Sequence, residues 1–341
     1  MMKRTIATLV AAGALSACAT TAQQGLPPVA VMAKGETAPV GTMNEDAADD
    51  PAIWRNDADP AASLIVATDK KAGLYVYGLD GAVRSFIDAG AVNNVDLVTL
   101  EDGTVMVAAS DRIDLANSHI STFTLDTASG ELAPLGRIPS GSGEGYGFCM
   151  SRHGGLSALA VIKDGRLREY AIGEWAPGET PQATLLREMA VPSQPEGCVF
   201  DDRDGTLYVG EEAAGIWRFR DGETTGQIVA AIDNQYLVAD VEGLAIARDG
   251  ADGGYLIASS QGDNAYAVFQ LPSMAPLGRF RVAEGAFGST EETDGIELDT
   301  RSFGPDYPEG LFIAQDGQNG ADAQNFKLVS WADVKAALGL D

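Results

Sequence analysis

From Asp46 onward the chain is written in short apolar runs, rich in β-branched and aromatic residues and broken every few positions by Gly, Asp or Asn. Almost no stretch keeps the 3.6-residue apolar period of a surface helix, so the pattern predicts strands joined by tight turns. The exception is Trp331 to Leu340, which predicts a C-terminal helix. The stretch from Pro195 to Phe219 is the clearest unit. Cys198, Val199 and Phe200 make one strand, Asp201 to Gly205 supply a turn, Leu207 to Val209 make a second strand ending in Glu211 and Glu212, and Ile216 to Phe219 begin a third. The same phrase, an acidic opening, a glycine or turn and then two or three strands, recurs in six units that open near Asp49, Asn93, Glu144, Glu196, Glu242 and Asp294. A spacing of roughly 45 to 50 residues suits a four-stranded blade, so the expected fold is all-β, a six-bladed β-propeller in one domain. A sandwich would not repeat one strand-and-turn phrase six times. First strands line the channel of a propeller, so Asp49, Asp50, Asp96, Glu144, Glu196, Glu242 and Asp294 are expected to converge at one end. Convergent carboxylates do not stay charged together without cations.

Ahead of this body, Met1 to Arg4 precede an apolar segment, Thr5 to Ala14, and then Leu15, Ser16, Ala17 and Cys18. This predicts a signal peptide over residues 1–17 that resembles a bacterial lipoprotein leader, with Cys18 lipidated. Its apolar core is too short to span a bilayer as a mature helix. Residues 18–44, rich in Ala, Gly, Pro, Gln and Thr, are expected as a tether, some of it pairing as an edge strand, before the propeller domain at 45–341. The expected location is an exported bacterial cell envelope, outer membrane or periplasm, with the protein lipid-anchored or released. In that oxidising compartment Cys149 and Cys198 fit either a disulfide or two buried free thiols.

Charge narrows the partners. Lysines and arginines number 23 against 49 acidic residues, for a net charge of -26. A nucleic-acid partner is excluded for want of a basic footprint, and an anionic ligand needs help to approach. The excess suits solubility, and it also suits recruitment of divalent cations. Glu211 with Glu212, Asp240 with Glu242, and Asp49 with Asp50 offer hard oxygen ligands in pairs, which point to Ca²⁺. Zinc would want His or Cys, and the only histidines are His119 and His153. Any one pair reads most simply as a solvated turn; at matching blade positions they read as a site. Lys70, Lys71, Arg112 and Lys163 each follow the second strand of a unit. Singly they are surface charges; beside a metal they compose a phosphate site. Arg152, His153 and Gly154 open like the histidine acid phosphatase signature but lack its later Arg and Pro, and read as a hairpin turn.

The phrases DAADDPAIW (46–54), DKKAGLYVY (69–77), NNVD (93–96), PEGCVFDD, LYVGEEAAGIWRF, VEGLAI, ASSQGDNAYAVF, TDGIEL, GPDYPEGLFIAQDG and QNFKLVSW, in that order, together resemble the β-propeller phytase family. The resemblance spans roughly residues 45 to 340. It implies several calcium ions at one end of the channel and hydrolysis of phytate, myo-inositol hexakisphosphate, by water acting in line without a covalent phosphoenzyme. It also implies calcium ligation by Asp49, Asp50, Glu196, Glu212, Asp240, Glu242, Asp294 and Asn319, with Tyr146 touching both metal and phosphate. Lys70, Lys71, Arg112 and Lys163 match the family's phosphate-binding cations. The catalytic work would fall on Lys70, Arg112, Tyr146, Lys163, Glu196, Glu212 and Asp294. Two positions depart from the family pattern: Gly143 stands where an Asn is usual and Gly288 where an Asp is frequent, with Glu291 or Glu292 available as a replacement carboxylate. The competing readings are a calcium lactonase or esterase, which would not require Lys70, Arg112 and Lys163, and a non-catalytic envelope propeller with structural calcium. A monomer is expected.

Overall fold

A computed structural model describes residues 25–176 and 178–341; the expected signal peptide, residues 1–17, and the expected lipidation site Cys18 lie outside them. Six sheets follow one another around a channel. They are blade 1 (Ala48–Asp88), blade 2 (Val92–Ser142), blade 3 (Gly145–Ala190), blade 4 (Pro195–Ala231), blade 5 (Val241–Ala283) and blade 6, built on Ile296–Asp299, Leu311–Asp316 and Asn325–Ser330. Each innermost strand packs on the next, and that of blade 6 returns to that of blade 1, which closes the ring and makes the molecule a six-bladed β-propeller.

The chain's own N-terminal stretch fastens the ring. Blade 6 would hold three strands, and Gly35–Glu36 pairs antiparallel with Asn325–Ser330 as its fourth. Val29–Met32 adds a parallel strand to the outer edge of blade 5. Part of the stretch expected as a tether therefore sits in the sheets.

Apolar packing is divided among the six seams between blades, one cluster per seam, with Leu64 and Val107 between blades 1 and 2 and Leu159 and Phe219 between blades 3 and 4. Both faces of each blade are thus buried. That is why the second strands read as unbroken runs such as Leu64–Asp69 (LIVATD) and Ser157–Ile162 (SALAVI) rather than alternating. The single α-helix among the described residues is Trp331–Leu338. Ser330 caps its start by accepting a hydrogen bond from the Asp333 N–H, Trp331 and Val334 bury it in the seam between blades 5 and 6, and Gly339 ends it in the left-handed region.

One irregularity positions the site. The innermost strands of blades 1 to 5 slip register at the same place, between Ala48 and Pro51, Val92 and Val95, Gly145 and Phe148, Pro195 and Cys198, and Val241 and Leu244. A β-bulge re-aims a side chain, and here it turns Asp49, Asn93, Tyr146, Glu196 and Glu242 toward one end of the channel. Asp294, two residues before Ile296, holds the matching place in blade 6. In blades 3 to 6 the next residue is glycine because the following blade leaves no room. A Cβ on Gly147 would lie 1.9 Å from the Glu196 carbonyl oxygen, and one on Gly197 2.2 Å from that of Glu242. The Gly243 and Gly295 N–H groups donate to the Asp294 and Asp49 carbonyls at 2.8 and 3.0 Å. The recurring acid-glycine phrase is therefore a bulge followed by an inter-blade contact.

Candidate metal and anion site

Two rings of side chains face the mouth. The inner ring is the bulge set Asp49, Asn93, Tyr146, Glu196, Glu242 and Asp294. The outer ring is the residue that follows each second strand: Lys70, Arg112, Lys163, Glu212, Gln261 and Gly317. Equivalent positions thus carry cations in blades 1 to 3 and an acid, an amide and a glycine in blades 4 to 6. The mouth has a basic side and an acidic side.

On the acidic side, Glu196, Glu212 and Glu242 each bring a carboxylate oxygen within 4.8 Å of the others. Burial raises Glu196 to about 7, with Asp294 adding repulsion, and holds Glu242 well above the usual carboxylate range, with Glu196 adding to it. Burial also raises Glu212. Gln194 Nε2 donates to Glu212 Oε1 at 2.5 Å and reaches the Tyr146 hydroxyl at 3.3 Å, while Asn93 Nδ2 donates to Glu196 Oε1 at 2.6 Å. Glu242 Oε2 is buried without any partner. Three converging carboxylates, one with an orphaned oxygen and all short of compensating charge, fit a divalent cation. An all-oxygen donor set fits a hard ion, and the two histidines are bonded elsewhere, His119 to the Asn117 carbonyl and His153 to that of Asp202.

Between the two sides stands Lys70. Its ammonium lies 2.8 Å from Asp46, 3.0 Å from Asp49 and 2.8 Å from Asp294. The Asp49 contact is an ion pair by distance, but its angle leaves Oδ2 without a directed hydrogen bond. Burial opposes the Lys70 charge, yet Asp49, Asp294 and Asp46 outweigh it and raise its pKa. Burial carries Asp49 and Asp294 to about 7 even so. Gln261 Nε2 donates to Asp294 Oδ1 at 2.6 Å.

On the basic side, Lys163 and Arg112 lie over the Tyr146 ring, at 4.7 and 5.5 Å from its centroid. Arg112 also grips Asn93 Oδ1 and Glu144, and Lys163 stands 4.0 Å from Glu144. Burial, with Glu196 and Glu242, raises the Tyr146 pKa, so its hydroxyl stays protonated and adds no charge to the site.

The structure brings together Asp49, Tyr146, Glu196, Glu212, Glu242, Asp294, Lys70, Arg112 and Lys163. Asp240 is half-buried at the rim, close enough to repel Glu212. Lys71 is exposed. Asp50 sits one residue past the bulge, accepts from the Val95 N–H at 3.0 Å, and lines a cavity of about 710 Å³ in the channel beyond. Asn319 lines a hollow with Asp46, Gln261 and Asp294, and its Oδ1 accepts from the buried Lys327 at 3.2 Å beside Glu36 and Asp316. Gly288 lies against that same ammonium. Glu292 accepts from Gln318 at 2.7 Å and shares that hollow with Asp46, Gln261 and Asp294. Glu211 is bonded to Ser193 and Trp217, away from the mouth.

Two acidic openings do not occupy the bulge positions, though Glu144 still reaches the mouth beside Arg112 and Lys163. Asp96 is three residues past Asn93, roughly 10 Å farther along the strand; it accepts from the Met150 N–H and lines the channel cavity. Glu144 precedes its blade's bulge by two residues and serves as counter-ion to Arg112. The bulge positions of blades 2 and 3 belong instead to Asn93 and Tyr146. Asn93, Asp46, Gln194 and Gln261 were not among the expected site residues. Only the register signal, the matching place of Asn93 in its unit, could have pointed to one of them.

Comparison with known proteins agrees with this geometry. The chain matches the family model described as Phytase over residues 1–341. It is 37% identical over 328 residues, 91% of this chain and 85% of the relative, to a 3-phytase of Bacillus subtilis (strain 168).

Proposed function

The chain belongs to the phytase family, and from that premise we propose how its two-sided mouth serves the reaction. It is an enzyme that hydrolyses phytate: water adds to phosphorus, the P–O bond to the inositol ring breaks, and orthophosphate leaves. The observation that carries the site reading is the division of the mouth, Glu196, Glu212 and Glu242 on one side and Lys163 and Arg112 on the Tyr146 ring on the other.

Phytate and this chain are both strongly anionic, so their approach needs neutralisation. Glu196, Glu212 and Glu242 would hold Ca²⁺, with Asp49, Asp294 and the rim group Asp240 as nearby carboxylates. Such an ion supplies Lewis acidity and charge neutralisation where phosphoryl oxygens lie. Arg112 and Lys163 bind the phosphoryl oxygens, their planes and stems fixed by the Tyr146 ring, and the Tyr146 hydroxyl donates a further hydrogen bond. Lys70, enclosed by three carboxylates, balances the acids and lends its charge to the same centre, and exposed Lys71 is placed for a non-reacting phosphate. Asn93 ties the two sides together, donating to Glu196 while accepting from Arg112.

The test is phosphate release from phytate as calcium is varied, in wild type and in Arg112→Ala and Lys163→Ala. The expected result is activity lost on chelation and a roughly hundredfold or greater fall in kcat/KM for each variant, the scale for a lost transition-state donor. Activity indifferent to chelation would refute the calcium assignment; variants as active as wild type would refute the basic side. The leader-like residues 15–18 support export with Cys18 as the lipid attachment.

A further inference from the structure

Cys149 and Cys198 form a disulfide with Cα atoms 5.8 Å apart and a sequence separation of 49, about one blade repeat. The bond therefore joins the innermost strands of blades 3 and 4, Gly145–Ser151 and Pro195–Asp201. Tyr146 lies three residues before one cysteine and Glu196 two residues before the other, so the bridge sits just below the two bulges that aim these side chains at the mouth. Burial raises the Tyr146 pKa, and the Glu196 carboxylate lies close enough to the Tyr146 hydroxyl for its charge to raise it further. Gly147 meets the Glu196 backbone with no space for a Cβ, so the seam is held at backbone contact at this level. Glu196, Glu212 and Glu242 bring carboxylate oxygens within 4.8 Å of one another, so the spacing of these strands sets the geometry of the pocket. Both cysteines also line the channel cavity, and Cys198 is only partly buried, so a small reductant has a route to the bond.

We propose that Cys149 and Cys198 are positioning residues of the site: their bond clamps blades 3 and 4 where Tyr146 and Glu196 leave their strands, and thereby sets the affinity of the three-glutamate pocket for its cation. The inference rests on the calcium reading above. Removing the bond leaves two small apolar residues in a seam already packed by Leu159, Val161, Leu167 and Phe200, so the fold has other support.

The experiment measures Ca²⁺ binding by titration calorimetry for oxidised wild type, phosphine-reduced wild type and Cys149→Ala/Cys198→Ala, with thermal unfolding of each in chelator. Tightest-site affinity is expected to fall roughly tenfold in the reduced and variant proteins, the scale for loss of a group that orients a ligand. Saturating calcium is expected to return kcat on phytate to within about twofold of wild type, with KM for phytate little changed. Equal calcium affinity in all three overturns the proposal, whether or not melting is lowered, since a lower melting temperature alone makes the bond a stabiliser. A tenfold loss that calcium does not rescue overturns it too, because the damage would then lie outside the cation pocket. If oxidised wild type binds no calcium, the metal reading fails and this inference fails with it, a result distinct from equal binding.

Discussion

Stripped of divalent cations, the protein should become less stable as pH rises. Asp49, Glu196 and Asp294 are buried and held at about 7, against ordinary values of 3.8, 4.5 and 3.8. A group with a raised folded-state pKa binds its proton more tightly in the native state than in the unfolded chain. Its contribution is fully present below the unfolded value near 4 and is lost as pH climbs through about 7. Carrying one aspartate such as Asp49 from 3.8 to about 7 corresponds to about 4 kcal/mol at 1.36 kcal/mol per pH unit. Burial is the leading cause for each and is not shared, but the three groups also repel one another, so their losses do not simply add; about two of those pH units lie between pH 5 and pH 7, and the expected fall there is about 3 kcal/mol for one such group. The assay is thermal unfolding in chelator at constant ionic strength from about pH 5 to about pH 8, repeated in millimolar calcium and with Glu196→Gln. Without calcium the melting temperature should drop by roughly 5 to 10 °C across the window. Calcium, which competes with those protons, should flatten the curve, and Glu196→Gln should shrink the drop. A chelated protein as stable at pH 8 as at pH 5 would refute the account of these carboxylates as uncompensated charge.

Gly147→Ala should cost about 3 kcal/mol in urea unfolding and lower phytate turnover, because the new methyl falls 1.9 Å from the Glu196 carbonyl oxygen and pushes blade 4 and its glutamate outward; a cost under about 1 kcal/mol would mean the seam yields freely. Lys70→Met, which leaves Asp46, Asp49 and Asp294 facing one another, should destabilise the chelated protein by about 3 to 5 kcal/mol near pH 8 and by much less once calcium is added. An equal loss in both conditions would show that no cation replaces the ammonium.

The propeller was legible because each blade buries two faces and must restate the same strands and turns, so that unbroken runs such as SLIVATD and SALAVI recur at a nearly constant interval. The acid-glycine phrase was legible for a local reason, a bulge followed by a contact too close for any side chain. The outer ring was legible in part, since Lys70, Arg112 and Lys163 all follow a second strand and so share one level of the barrel.

What the sequence determined by itself was therefore whatever repeats or sits at a strand end: fold class, blade number, and which residue types gather at the mouth. Tertiary structure alone decided which of them touch. Asp96 and Glu144 look like blade openings, but the register of each bulge hands those places to Asn93 and Tyr146, because one residue's slip re-aims a strand's side chains. Whether Cys149 reaches Cys198, whether Asn319 pairs with Lys327, and whether Gly35–Glu36 completes blade 6 depend on distances between strands far apart in the chain. Those distances are set by how blades pack, and no local pattern carries them.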